Sequence, residues 1–178
     1  LKLMYQHIQE SEVNAVDTET TSLNMRSGKI VGWSISGAEG VGFYIPTLVW
    51  DYGKEGLVTQ DINGQSTEVI SKNLLKMLKG KKLVMHNASF DCRYIKNYYG
   101  VDLLEDLWVE TLLLVHTVQE EGAGMGVFGL KALAISVQEE IGLDVEKAAN
   151  EEQIELKGSI KKNGGEATKT NFEIYKAD

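Results

Sequence analysis

The chain has 178 residues, of which 43% are hydrophobic and 25% charged, and its formal net charge is −8. This length fits one domain with an ordinary hydrophobic core, and no apolar run approaches the ~18 residues of a membrane span. The acidity argues against a protein that grips nucleic-acid phosphates with lysine and arginine alone, although bound divalent metals would supply positive charge.

The first part of the chain predicts a helix and three strands, followed by a long excursion. The helix covers residues 1–10, and the strands cover Val13–Asp17, Lys29–Ser36 and Val41–Ile45, as judged from apolar spacing and β-branched content. The short turn at Gly37–Gly40 predicts an antiparallel meander. Residues 47–65 show no sustained period, so we expect an excursion of the functional or mobile kind.

Helices and strands alternate in the second part of the chain. The predicted elements are a helix at Thr67–Leu78, a strand at Lys82–Met85, a helix at Phe90–Tyr98, a strand within Leu103–Val109, a helix from Glu110 to Val118, a glycine-rich loop at Gly122–Gly129, a helix at Leu130–Ile141 and a solvated helix or loop at Val145–Thr170. This order predicts an α/β fold with helices packed against a mixed sheet, a three-stranded antiparallel meander plus parallel strands. It resembles an RNase H–like fold, although other α/β folds share the order.

Two carboxylates lie at and just after the end of the first predicted strand. Asp17 and Glu19 are two residues apart, so at strand period their side chains point to the same face. Like charges held side by side are costly unless a cation lies between them, and hard oxygen ligands suit Mg²⁺ or Mn²⁺. A bare D-x-E is also compatible with a polar strand end that runs into a turn.

A second polar cluster follows the predicted strand Lys82–Met85. Asn87 and Asp91 are four residues apart and share one face of the helix that begins there. Asp91 in the first turn is favoured by the helix dipole, and Asn87 could cap the helix. Taken singly, Asn87 as a pure cap and Asp91 as a surface charge are equally acceptable interpretations.

The two clusters together are more informative than either one. Asp17-Thr-Glu-Thr-Thr-Ser-Leu23, followed by His86-Asn-Ala-Ser-Phe-Asp91, resembles the first two motifs of the DEDD superfamily of 3′→5′ exonucleases. The closest likeness is to the proofreading domain of family A DNA polymerases, and Gly129-Leu-Lys-Ala-Leu-Ala134 resembles a later helix of that domain. The resemblance covers residues 12–140.

The resemblance implies an enzyme that hydrolyses the terminal phosphodiester of a single-stranded DNA 3′ end and releases 5′-mononucleotides. It implies Asp17, Glu19 and Asp91 as ligands of two divalent metal ions, Mg²⁺ or Mn²⁺. It also implies that Thr20 and Leu23 contact the 3′-terminal nucleotide and that Asn87 supports that end of the substrate. The expected partners are DNA and a polymerase domain in the same parent chain.

The chain departs from the family pattern at two places. Glu110 stands where relatives have Asp before Thr, which puts helix capping in doubt rather than catalysis. The family's fourth carboxylate lies in a motif Tyr-x-x-x-Asp, and Tyr175-x-x-Asp178 is one residue short. We therefore expect residues 1–178 to form a single exonuclease domain, part of a longer polypeptide and truncated before the third motif, with Asp178 as the less favoured fourth ligand.

Other polar residues carry weaker signals. We expect His86 to be a histidine with a structural partner and Cys92, the single cysteine, to be a small buried hydrophobe. Five lysines could contact a phosphate backbone, although a solvated helix face explains them as well; they are Lys72, Lys76, Lys79, Lys81 and Lys82.

Two rival functions remain after the motifs. An RNase D-type or helicase-linked exonuclease that acts on RNA or DNA shares the first two motifs, and a non-catalytic scaffold or DNA-binding module could keep the fold. The intact carboxylates Asp17, Glu19 and Asp91 argue against the scaffold. With one cysteine and no secretory signal, we expect a cytoplasmic protein, from a bacterium or a phage-infected cell, without membrane association.

Overall fold

The computed structural model of the protein describes residues 1–51, 53–118 and 128–136. The chain divides into two compact units, Leu1–Thr111 and Leu112–Asp178. In chain order the elements are α1 (Lys2–Glu10), β1 (Val13–Thr20), β2 (Ile30–Ala38), β3 (Val41–Pro46), β4 (Leu48–Asp51), β5 (Gly56–Thr59), β6 (Asp61–Ile62), β7 (Gln65–Ser66), α2 (Thr67–Leu78), β8 (Lys82–Met85), α3 (Ala88–Tyr99), a 3₁₀ turn (Leu104–Asp106), β9 (Leu107–Glu110), α4 (Thr111–Val118) and α5 (Leu130–Ser136).

The first unit is built on a five-stranded sheet with the order β3-β2-β1-β8-β9. β1, β2 and β3 are antiparallel, whereas β8 runs parallel to both β1 and β9. The predicted meander and the predicted parallel strands are therefore both confirmed, and helices flank the sheet as expected.

The central strand β1 extends beyond its parallel neighbour. Its pairing with β8 ends at Ala15, opposite Val84, while its pairing with β2 continues to Thr20. The edge of β1 that faces β8 is consequently unpaired past Ala15, where the chain leaves β8 and turns into α3. A bulge between Glu19 and Thr20 shifts the register with β2, a distortion that is common beside active sites.

One hydrophobic core joins this sheet to its helices. Trp33 of β2 is fully buried at its centre, and its indole N–H donates to Ser71 Oγ of α2 at 3.1 Å. The ring of Tyr99 lies 6.0 Å from the Trp33 ring between centroids. The helices contribute buried aliphatic and aromatic side chains to the same core: Met4, Ile8, Ile70, Leu74, Leu75, Leu78, Cys92, Tyr94 and Ile95.

The predicted excursion at residues 47–65, in which the sequence shows no regular element, instead contains β4, β5 and β6 and leads into β7. Asn63 and Gly64 both have positive φ, 52° and 77°, so they form the kind of two-residue turn that connects hairpin strands. In the other hairpin, Asp51 Oδ1 accepts from Gly53 N at 2.8 Å and closes the turn. The Asn-Gly pair was the available sequence signal.

Several predicted boundaries also need correction. The first strand continues beyond Asp17 to Thr20, so Glu19 lies within it. The helix predicted at Phe90–Tyr98 begins earlier, at Ala88. The strand predicted within Leu103–Val109 starts only at Leu107, because residues 104–106 form a 3₁₀ turn.

Less of the second unit is described. It holds the body of α4 and the helix α5, and the His116 and Phe128 rings stack with centroids 3.9 Å apart. The predictions for Gly122–Gly129 and Leu130–Ile141 fall partly outside the described residues, and that for Val145–Thr170 falls wholly outside them. Among the described residues, no helix is long and apolar enough to cross a membrane.

Candidate active site

The two carboxylates of the first motif lie near the carboxyl end of β1. Asp17 and Glu19 are both partly buried, and they are opposite Ser34 and Gly32 of β2. Strand alternation gives them one face of the sheet, as the sequence predicts, while Thr18 between them is buried on the other side. The bulge begins directly after Glu19, so the chain bends away from the sheet where the carboxylates are displayed.

Asp91 is tied to β1 through Thr18. The carboxylate is 3% exposed, and its Oδ1 accepts a hydrogen bond from the Thr18 backbone N–H at 3.1 Å and a second, short one from the Thr18 hydroxyl. The backbone donor lies on the stretch of β1 that β8 leaves unpaired. The first turn of α3 therefore takes the place of the missing strand and brings Asp91 close enough to Asp17 for their charges to interact.

Burial raises the pKa of both carboxyl groups above their usual values. Burial raises the pKa of Asp17 above its usual value, opposed by a backbone hydrogen bond at Thr18 and by the nearby His86. The pKa of Asp91 is raised to about 6, chiefly by burial, which the Thr18 hydroxyl bond opposes, and in smaller part by the negative charge of Asp17. Two carboxylates that repel each other in a partly dry environment are the chemistry that a divalent cation relieves.

A complete ligand set is not assembled in the described residues. There, no group of three or more His, Cys, Asp or Glu side chains is arranged to hold a metal ion. Asp17 and Asp91 are the part of the predicted site that the structure brings together, with Glu19 two residues away on the same strand. Asp178, the remaining candidate, lies outside the described residues.

Asn87 does not cap α3 with its side chain, so that interpretation is wrong. Instead the carboxylate of Glu110, at the end of β9, accepts from the backbone N–H of Asn87 at 2.6 Å and of Ala88 at 3.4 Å. Asn87 itself has φ 55° and an exposed side chain. Glu110 thus supplies an acceptor for the N-terminus of α3 from a neighbouring strand.

Two neighbours of the site have structural partners, as expected. His86 Nδ1 lies 2.9 Å from Thr111 Oγ1. Cys92 is buried against Met85, with 3.7 Å between their sulfurs, and burial raises the pKa of its thiol to about 11. A thiol in this environment is not a nucleophile at neutral pH.

The predicted substrate residues Thr20 and Leu23 lie at the end of β1 and in the following loop. Thr20 Oγ1 donates to the Ser22 carbonyl at 3.3 Å. Leu23 is 86% exposed, and Arg26 is exposed in the same loop. The sequence interpretation did not single out Arg26, although it is the first cation after the motif.

Most of the five lysines interact with other groups of the chain, which makes them poor candidates for contacts to a phosphate backbone. Lys72 pairs with Glu68, Lys79 with Asp106, and Lys82 with Glu12. Lys81 donates to the backbone carbonyls of residues 9 and 11. Four of the five lysines therefore have partners within the chain, which favours the solvated-surface interpretation.

Comparison with known families decides the broad class of the protein. The family model described as 3′-5′ exonuclease matches residues 1–157. The chain belongs to the 3′-5′ exonuclease family. Its mixed five-stranded sheet agrees with the RNase H–like fold of DEDD exonucleases, as the sequence predicts. A search of curated proteins found no match.

Three solved structures align with this exonuclease domain at low sequence identity. NrnC of Brucella melitensis with bound Mg²⁺ is 19% identical with a TM-score of 0.49, over 74% of this chain and 55% of that one. NrnC bound to pGG is 20% identical with a TM-score of 0.49, over 74% and 54%. The apo form of a nuclease is 21% identical with a TM-score of 0.50, over 75% of this chain and 55% of that one. The domain thus spans about half the length of these structures.

Proposed function

We propose that the chain hydrolyses the terminal phosphodiester of single-stranded nucleic acid from the 3′ end and releases 5′-mononucleotides. The observation that carries the proposal is the Asp17–Asp91 pair, in which Thr18 holds the carboxylate of α3 against the strand that bears the first motif. The family match supports the same reaction and its direction.

The metal requirement follows from the chemistry of the site. Asp17, Glu19 and Asp91 would hold two divalent ions, Mg²⁺ or Mn²⁺, which activate water and stabilise the leaving oxygen. The protein's own contribution is to hold the Asp91 carboxylate beside β1 through the two Thr18 bonds, in spite of its repulsion by Asp17.

The 3′ end would meet the segment that follows β1. The exposed Leu23 offers an apolar surface for a base, Thr20 and Asn87 offer polar contacts, and Arg26 offers a charge for a phosphate. Because the net charge of the chain is −8, this local cation and the bound metals would have to supply the attraction for the substrate.

Two substrate classes remain for the same reaction. The RNase D-type alternative, which acts on RNA or DNA, needs only the exonuclease domain that the family match describes. The proofreading alternative needs in addition a polymerase domain in the same polypeptide, for which the comparisons offer no support. We therefore prefer the RNase D-type activity over proofreading. The cytoplasmic location stays a prediction.

The fourth carboxylate is proposed to lie beyond Asp178, in a Tyr-x-x-x-Asp motif of the parent polypeptide, meaning the full protein that contains these residues. Residues 1–178, with three of the four ligands, should then fold and show little activity. If the isolated chain digests a 3′ end as fast as the parent polypeptide, Asp178 is the fourth ligand instead.

The test uses the parent polypeptide with 5′-labelled single-stranded RNA and DNA of one sequence, and with Mn²⁺ or EDTA. We expect removal of single nucleotides from the 3′ end with Mn²⁺ only, and loss of at least ~100-fold in rate for Asp17→Asn. Asp61→Asn, an exposed carboxylate outside the site, is the matched control. An Asp17→Asn variant that keeps wild-type activity would refute the proposal. Degradation of DNA alone would instead favour proofreading.

A further inference from the structure

The segment between β1 and β2, residues 21–29, forms a compact loop that we call the Leu23 loop. At its base the Thr21 N–H donates to the Lys29 carbonyl at 3.0 Å, and the Lys29 N–H donates to Thr21 Oγ1 at 3.0 Å. At its tip Asn24 Oδ1 accepts from Arg26 N at 3.0 Å, and the Asn24 carbonyl accepts from Gly28 N at 2.8 Å. Leu23 is therefore displayed on an ordered backbone.

Two side chains of helix α3 form hydrogen bonds with the backbone of this loop. Tyr94 is fully buried, with an exposure of 0%. Its hydroxyl donates a hydrogen bond to the Ser22 carbonyl, and the hydroxyl oxygen lies 3.2 Å from the Asn24 carbonyl oxygen. Asn97 Nδ2 donates to the Met25 carbonyl at 3.0 Å. Tyr94 thus binds the backbone on both sides of Leu23.

The loop approaches Tyr94 so closely that one of its residues must lack a side chain. A Cβ atom at Gly28 would lie 1.9 Å from the Tyr94 hydroxyl oxygen and 3.0 Å from the Asn24 carbonyl. Any side chain at position 28 would therefore push the phenol away from the two carbonyls, so Gly28 and Tyr94 act as one contact.

The same face of α3 serves the carboxylate site. Asp91, Tyr94 and Asn97 are spaced three residues apart, so they form a row along the helix. At one end of the row Asp91 binds β1 through Thr18, and further along Tyr94 and Asn97 bind the Leu23 loop. A single rigid element therefore connects the proposed metal ligand to the proposed substrate contact.

We propose that Tyr94 is a positioning residue, which fixes Leu23 relative to Asp91 so that the 3′-terminal nucleotide meets a preformed surface. The inference rests on the proposed function and deepens it. An ordered loop has already lost its conformational freedom on folding, so substrate binding does not have to order it again. Tyr94 itself touches neither substrate nor metal.

The test compares Tyr94→Phe with wild type in the parent polypeptide, on a single-stranded oligonucleotide with Mn²⁺. Loss of the hydroxyl should raise KM about 5-fold, the effect of about one hydrogen bond. The Mn²⁺ concentration for half-maximal activity should stay unchanged, because Asp91 keeps its Thr18 bonds. Amide hydrogen exchange should accelerate in residues 22–28 and not in α3. Tyr98→Phe, an exposed tyrosine of the same helix, is the control and should match wild type.

A second variant reaches the same contact from the loop side. Gly28→Ala should raise KM as Tyr94→Phe does, and the two effects should not add in the double variant, since both remove one contact. If wild type is active but Tyr94→Phe changes neither KM nor hydrogen exchange in the Leu23 loop, the inference is overturned and the proposed function stands. A loss of Mn²⁺ activation in Tyr94→Phe overturns it in favour of a purely structural role. An inactive wild-type parent polypeptide refutes the proposed function, and this inference falls with it.

Discussion

Replacing Asp91 by Asn should stabilise the protein at neutral pH in the absence of divalent metal. The pKa of Asp91 is raised from 3.8 to about 6, so the folded state binds a proton more tightly than the unfolded chain does. A raised carboxyl pKa contributes stability that is present at low pH and is lost as the pH rises from about 4 to about 6. Asn removes the charge, while its side-chain oxygen can still accept both hydrogen bonds from Thr18.

The size of the gain follows from the shift. About two pKa units, at 1.36 kcal/mol each, correspond to about 3 kcal/mol between the charged and neutral forms. Because proton binding is linked to folding, Asp91→Asn should raise the free energy of unfolding by only about 0.5 kcal/mol at about pH 4, and by the full amount above about pH 7. Asp17, whose pKa burial raises in the same direction, should leave part of the wild-type pH dependence in place.

The assay is urea unfolding of the wild-type chain and Asp91→Asn in EDTA at about pH 4 and about pH 7.5, followed by far-ultraviolet circular dichroism. Asp61→Asn controls for removal of a carboxylate as such, because Asp61 is exposed on β6. Equal stability of Asp91→Asn and wild type at both pH values would refute the electrostatic reasoning. In the parent polypeptide, Mn²⁺ should raise the stability of wild type more than that of Asp91→Asn, because binding to the folded state alone is stabilising.

Two further predictions concern the edges of the site. Glu110→Ala should lower the free energy of unfolding by about 1 kcal/mol, since the N-terminus of α3 loses its cap, and Glu110→Gln should recover part of it. Identical urea midpoints for Ala, Gln and wild type would contradict the capping role. Arg26→Ala should weaken binding of single-stranded oligonucleotides and reduce the slope of log affinity against log salt by about 0.7. Lys54→Ala, which removes an exposed lysine that pairs with Asp51 between β4 and β5, is the control and should change neither quantity. Fluorescence anisotropy across a salt series measures both. An unchanged slope for Arg26→Ala would exclude a phosphate contact.

The hydrophobic pattern of the sequence was sufficient to predict a helix or strand where one face of that element is buried. Thr67–Leu78 and Lys82–Met85 have the predicted boundaries, because their apolar residues repeat at helical spacing or form a continuous run against the core. It failed at residues 47–65, where short hairpins bury too little to leave a periodic pattern. There the turn residues Asn63 and Gly64 carried the information instead.

The sequence by itself determined the class of chemistry, because Asp17, Glu19 and Asp91 lie in local motifs whose spacing is set by one strand and one helix turn. The tertiary structure decided how these residues are held, because the partners come from far along the chain. Thr18 binds Asp91 across 73 positions, Glu110 caps α3 from 23 positions beyond Asn87, and Tyr94 holds the loop 72 positions before it. Local preferences for helix or strand do not predict such contacts, because the contacts form only when the sheet order brings β1, β8 and β9 side by side.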